Sequence, residues 1–99
     1  MLTPRQRQHL KAKAHALKPV LHVGKLGITP ALAAEIDLIL ESHELIKVKL
    51  NKNSFEDEPA VVEALKARVD GIEHVWTIGH TLLFFRASRE RPSRFPLPA

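Results

Sequence analysis

Four large apolar residues stand in a row near the C-terminal end, Leu82, Leu83, Phe84 and Phe85, with Gly79-His80 before them and Arg86 after. Successive side chains of a strand point to opposite faces, so Leu82 and Phe84 claim one side of a sheet and Leu83 and Phe85 the other. A strand built this way must be covered on both faces and lie away from an edge. Gly79 occupies the position where a two-residue type II′ turn needs a positive φ, so Glu73 to Ile78 is predicted to pair antiparallel with Thr81 to Arg86.

The remaining elements follow from punctuation by proline and cap residues. Thr3-Pro4-Arg5-Gln6 combines an N-cap, a proline in the first helical turn and a glutamine at the third position, so a helix opens there. Leu10, Ala14 and Leu17 form its apolar stripe, and Pro19 forces its end. Residues 20–23 are predicted as a short strand. Thr29 caps and Pro30 opens a second helix with Leu32, Ile36, Ile39 and Leu40 inward, stopping near His43. Leu45 to Leu50 alternates, with Ile46, Val48 and Leu50 facing the core and Lys47 and Lys49 facing away. After the loop NKNSFEDE, Asp57 and Glu58 before Pro59 start a third helix carrying Val62, Leu65 and Val69, and Gly71 stops it. The order is αβαβαββ. It describes an α/β or α+β sandwich of two or three layers around a four-stranded mixed sheet, with right-handed crossovers in its strand-helix-strand units. One domain over residues 1–89 is expected, followed by a basic, proline-containing flexible tail over 90–99.

Composition narrows the classes. No apolar run reaches the roughly 18 residues of a membrane span, and the N-terminus turns polar without a signal-peptide core, so a cytoplasmic protein is expected. Zero cysteines exclude disulfides, thiolate zinc sites and a cysteine nucleophile. The net charge of +4 is unevenly spread. Arg5, Arg7, Lys11, Lys13, Lys18 and Lys25 precede any acidic residue, and Arg86, Arg89, Arg91 and Arg94 face only Glu90 in the tail. Basic ends around an acidic middle favour a polyanionic partner.

Gly24-Lys25-Leu26-Gly27 lies between the first strand and the second helix. The glycines remove side chains that would hold a sugar-phosphate backbone away, Lys25 adds a mobile cation, and amides at the helix start carry partial positive charge. The length matches the GxxG loop with which KH domains clamp a nucleotide backbone. Nucleotide-cofactor loops do not fit: GKLG lacks the third glycine of GxGxxG and the GxxxxGK of a Walker loop.

VGKLGIT, then HELIKVKL at 43–50, then GHTLLFFR at 79–86, in that order, resemble the YhbY/CRM family of RNA-binding domains, named for chloroplast RNA splicing and ribosome maturation. The resemblance runs from about Leu2 to Arg89; Phe85 stands where the family often has tyrosine. It implies a fold like the C-terminal domain of bacterial translation initiation factor three. It further implies a partner in precursors of the large ribosomal subunit, with ribosomal RNA rather than DNA or membrane contacted and ribosomal-protein contacts available. The RNA site expected on this basis is Gly24, Lys25, Leu26 and Gly27, widened by Arg5, Arg7, Lys11, Lys13 and Lys18 and by Arg86, Arg89 and Arg91.

Other chemistry finds no support in spacing. The six histidines show no HExxH pattern, so neither a metal nor any cofactor is expected. Ser42, Ser54, Ser88 and Ser93 lack a nucleophile elbow, and Asp57 and Glu58 serve as helix-start residues, so no catalytic residue is predicted and no enzyme. Trp76 and Phe84 are assigned to packing rather than to base stacking. The competing reading is a protein-interaction module that docks on a ribosomal protein or assembly factor through its acidic helices.

Overall fold

Each helix begins where a side chain replaces the missing backbone acceptor of its first turn. In the computed structural model, which describes residues 2–98, α1 (Pro4–Ala14) starts with a reciprocal capping box. The Thr3 hydroxyl accepts the Gln6 amide at 3.1 Å, and the Gln6 side chain accepts the Thr3 amide at 2.9 Å. Thr29 caps α2 (Pro30–His43) through the Leu32 amide, and Asp57 caps α3 (Glu58–Arg68) through the Ala60 amide. The strands are β1 (Pro19–Val23), β2 (Leu45–Leu50), β3 (Glu73–Ile78) and β4 (Thr81–Phe85).

The first helix is shorter than its apolar stripe predicts. It ends at Ala14, and Leu17 leaves the helical path, its amide turning back to the Ala14 carbonyl at 2.9 Å. With β1 opening at Pro19, residues 15–18 must carry the chain from the helix to the sheet edge, which leaves no room for another helical turn. Leu17 still packs against the core.

The sheet order is β1-β2-β4-β3, with β1 parallel to β2 and both pairings of β4 antiparallel. The doubly apolar strand therefore lies inside the sheet. Its two faces serve two cores. Leu82 and Phe84 join Ile46 and Val48 beneath Ile36, Leu40, Val61 and Leu65 of α2 and α3. Leu83 and Phe85 join Leu45 and Val75 beneath Leu10 and Ala14 of α1. The result is three layers, α1 over the sheet over α2 and α3. Gly79 has φ +57, the positive first residue expected of the hairpin turn.

After β4 the chain returns to the C-terminal end of α2. Glu44, 2% exposed with φ 63, reverses the chain after α2. Its carboxylate accepts the amides of Ser88 at 2.9 Å and Arg94 at 2.7 Å. Glu41 accepts the Arg89 amide, and Phe95 packs against the α1-side core. Among the described residues no helix is long and apolar enough to cross a membrane.

Candidate nucleic-acid interface

The GKLG segment forms a tight turn in which the Gly27 amide donates to the Gly24 carbonyl at 3.1 Å. Its tip is bare: Lys25 is exposed, and Leu26 is 72% exposed. Its back is held by the loop over residues 51–57. The Asn51 amide donates to the Val23 carbonyl and the Phe55 amide to the Lys25 carbonyl, both at 2.9 Å. Glu56 Oε1 accepts the Ile28 amide at 2.6 Å. Three backbone anchors thus hold the turn without covering its outer side.

The two glycines have different jobs. A Cβ on Gly24 would meet nothing within 4 Å, so this backbone is open to an approaching ligand. Gly27 has φ +71, and a Cβ there would overlap the Glu56 carboxylate. The close approach at Gly27 is therefore made by the protein's own Glu56. Two amides around the helix start are already occupied, that of Ile28 by Glu56 and that of Leu32 by Thr29. What a ligand can reach is the Gly24 to Leu26 side of the turn. Sequence reasoning also missed Phe55, 74% exposed, whose ring lies 5.5 Å from Lys25 Nζ. A lone aromatic in a polar loop carries no periodic signal.

The basic residues expected around this turn divide into three groups. Arg5, Lys13 and Lys18 are exposed cations on or just after α1. Arg7 and Lys11 are engaged with β3: the Arg7 guanidinium donates to the carbonyls of His74 and Val75, the latter at 2.9 Å, and Lys11 Nζ sits 3.8 Å from the Trp76 ring centroid. The C-terminal arginines form the third group, spread along α2: Arg86 pairs with Asp37, Arg89 lines a cleft with Pro30, Ala33 and Asp37, and Arg91 reaches Glu41.

Arg86 is a correction. It is 6% exposed and ion-paired with Asp37, with a second contact to the Asp37 carbonyl at 3.0 Å. A buried guanidinium held by a carboxylate is a structural element, since removing either partner strands a charge. Arg89 donates to the Asp70 carbonyl at 3.1 Å, and Arg91 to the Glu41 carbonyl at 3.1 Å. Trp76 is a second correction: assigned to packing by its sequence, it is 41% exposed, whereas Phe84 is fully buried as expected.

Carboxylates govern the electrostatics around the C-terminal segment. Glu41 is held below the usual carboxylate range by the Ser88 hydroxyl and the Arg89 amide. Burial pushes the Glu44 carboxyl up, but the amides of Arg94 and Ser88 outweigh it and leave it lowered. Near the turn, the His80 ring 2.8 Å from Glu58 lowers that carboxyl. Among the described residues no group of three or more His, Cys, Asp or Glu side chains could hold a metal ion.

Comparison with known proteins agrees with this architecture. Residues 2–86 match the CRS1 / YhbY (CRM) domain. The chain is 40% identical over 90 residues to Probable RNA-binding protein YqeI of Bacillus subtilis, covering 91% of this chain and 93% of that one. It is 39% identical over 95 residues to a protein of Haemophilus influenzae named RNA-binding protein, covering 96% and 95%. The solution structure of the hypothetical protein SAV1595 from Staphylococcus aureus superposes with a TM-score of 0.79 at 36% identity, over 99% of this chain and 100% of that chain.

Proposed function

The chain belongs to the CRS1 / YhbY (CRM) domain family, and from that premise we propose that it binds RNA through the GKLG turn without catalysing a reaction. The observation that carries this reading is the turn itself, anchored from behind at three backbone points and bare in front, with Gly24 open and Lys25 exposed. A sugar-phosphate backbone can approach Gly24 closely, and Lys25 supplies the charge. Arg5, Lys13 and Lys18 add exposed positive charge on the α1 side, which raises the encounter rate with a polyanion. The names of two relatives as RNA-binding proteins support RNA as the ligand. The ribosome maturation for which the family is named directs the reading to precursors of the large ribosomal subunit in the cytoplasm.

The test places acidic residues on the tip. Lys25→Glu combined with Leu26→Glu should leave the fold intact, because both side chains are exposed, and should weaken RNA binding well over tenfold. Affinity for ribosomal RNA fragments and cosedimentation with large-subunit precursors are the measurements. Unchanged RNA affinity in a folded double variant would contradict the reading. Loss of RNA affinity with cosedimentation intact would favour docking on a ribosomal protein.

A further inference from the structure

Helix α1 covers only one end of its sheet face. It packs where Leu45, Val75 and Phe85 lie, and the other end of that face is open. The registers Lys47↔Leu83, Lys49↔Thr81, Trp76↔Leu83 and Ile78↔Thr81 set these side chains beside one another on the face. A register shift between His74 and Trp76 lets Val75 stay buried under α1 while Trp76 also points to that side, against Leu83. Trp76 is 41% exposed and Ile78 58%. A cleft of about 300 Å³ runs between α1 and this half of the sheet, lined by Lys11, His15, Lys47, Trp76, Ile78 and Leu83 among others.

A half-exposed tryptophan beside an exposed isoleucine is apolar surface that folding did not use. The cations around it decide what it suits. Lys11 lies over the indole, Lys47 and Lys49 project from β2, and the residues lining the cleft include no acidic side chain. An apolar floor with a basic rim matches single-stranded nucleic acid, whose bases stack on aromatic rings while its phosphates meet lysines. The face is also continuous with the turn, because β1 pairs His22 with Lys49 and then runs through Val23 into Gly24.

We infer that the open half of this sheet is a second RNA-contacting surface, on which a base of the single strand held at the GKLG turn stacks against Trp76. This rests on the reading of the turn as an RNA site. In the free protein Lys11 covers the indole; a stacked base displaces its ammonium onto a neighbouring phosphate. Lys47 stays where it is, its ammonium donating to the Leu17 carbonyl at 3.0 Å, and meets the strand as a fixed charge.

Trp76 is the chain's single tryptophan, so its fluorescence reports on this surface alone. The full chain is titrated with twelve-nucleotide oligoadenylate and oligouridylate, following indole emission and oligonucleotide anisotropy together. Both signals should saturate at the same midpoint, with emission changed on binding. Trp76→Ala should weaken binding roughly tenfold or more. Trp76→Phe, which keeps an aromatic face and guards against a folding defect, should lose less. If the oligonucleotides bind through the turn but emission is unchanged and Trp76→Ala binds like the parent chain, the stacking surface is overturned and the turn stands. If the parent chain binds neither oligonucleotide nor ribosomal RNA, both readings fall. If Trp76→Ala instead abolishes a dimer seen by sedimentation and leaves RNA affinity unchanged, the face belongs to a second copy of the chain and the inference is overturned.

Discussion

Gly24 and Gly27 look equivalent in a GxxG pattern, yet they answer to different constraints. Gly27 combines a left-handed φ with Glu56 packed where a Cβ would be, so Gly27→Ala should cost about 1–3 kcal/mol of stability, read as a lower midpoint in urea. Gly24 carries neither constraint within the protein. Gly24→Ala should therefore leave the urea midpoint within about 0.5 kcal/mol of the parent and weaken RNA binding, because the added methyl group stands where the backbone is open. Parallel losses of stability in both variants would contradict this division. Sequence alone could not separate the two glycines, since the reason lies in Glu56, about 30 residues further along the chain. The same holds for Arg86, whose basic character suggested a surface role until β4 delivered it beside Asp37 of α2.

At the scale of elements, caps and prolines located the three helices, and alternation and the Gly79 turn located strands between them, because each signal is local. The end of α2 near His43 was legible, but the docking of the following tail on it was not, since that depends on one buried carboxylate taking two amides from the tail. Glu44→Gln keeps the shape but offers only one acceptor oxygen to those two donors. It should cost about 1–3 kcal/mol and shift the Ser88 and Arg94 amide resonances. Acid should act in the same way. The carboxyls of Glu41 and Glu44 lie below their ordinary value of 4.5 in the folded chain, so the folded state binds fewer protons than the unfolded state near that pH. Their contribution is complete above pH 4.5 and lost as pH falls through the lower folded values. Amide exchange at Ser88 and Arg94 should accelerate over that acid range; protection indifferent to acid would contradict the assignment. The short α1 gives the converse lesson. Its apolar stripe was visible, but which part of the sheet it left uncovered was not, and Trp76 was misassigned for that reason.

Across the whole molecule, positive charge is sorted rather than pooled. Arg86 is buried against Asp37 and Arg7 and Lys11 lean on β3, whereas Arg5, Lys13, Lys18, Lys25, Arg89, Arg91 and Arg94 stay exposed. The overall +4 thus understates how unevenly free cations are offered to a polyanion. Sequence revealed the excess of charge at both ends but not that Arg86 would be buried in an internal pair. The most direct measurement is RNA affinity against salt concentration for the parent chain and for Lys25→Ala. If about five phosphates are neutralised on a single strand, the log-log slope is near −3.5, a loss of about 100-fold between 50 and 200 mM salt, and Lys25→Ala should flatten the slope by about 0.7. A parent affinity indifferent to salt, or a slope that Lys25→Ala leaves unchanged, would contradict phosphate recognition at the turn.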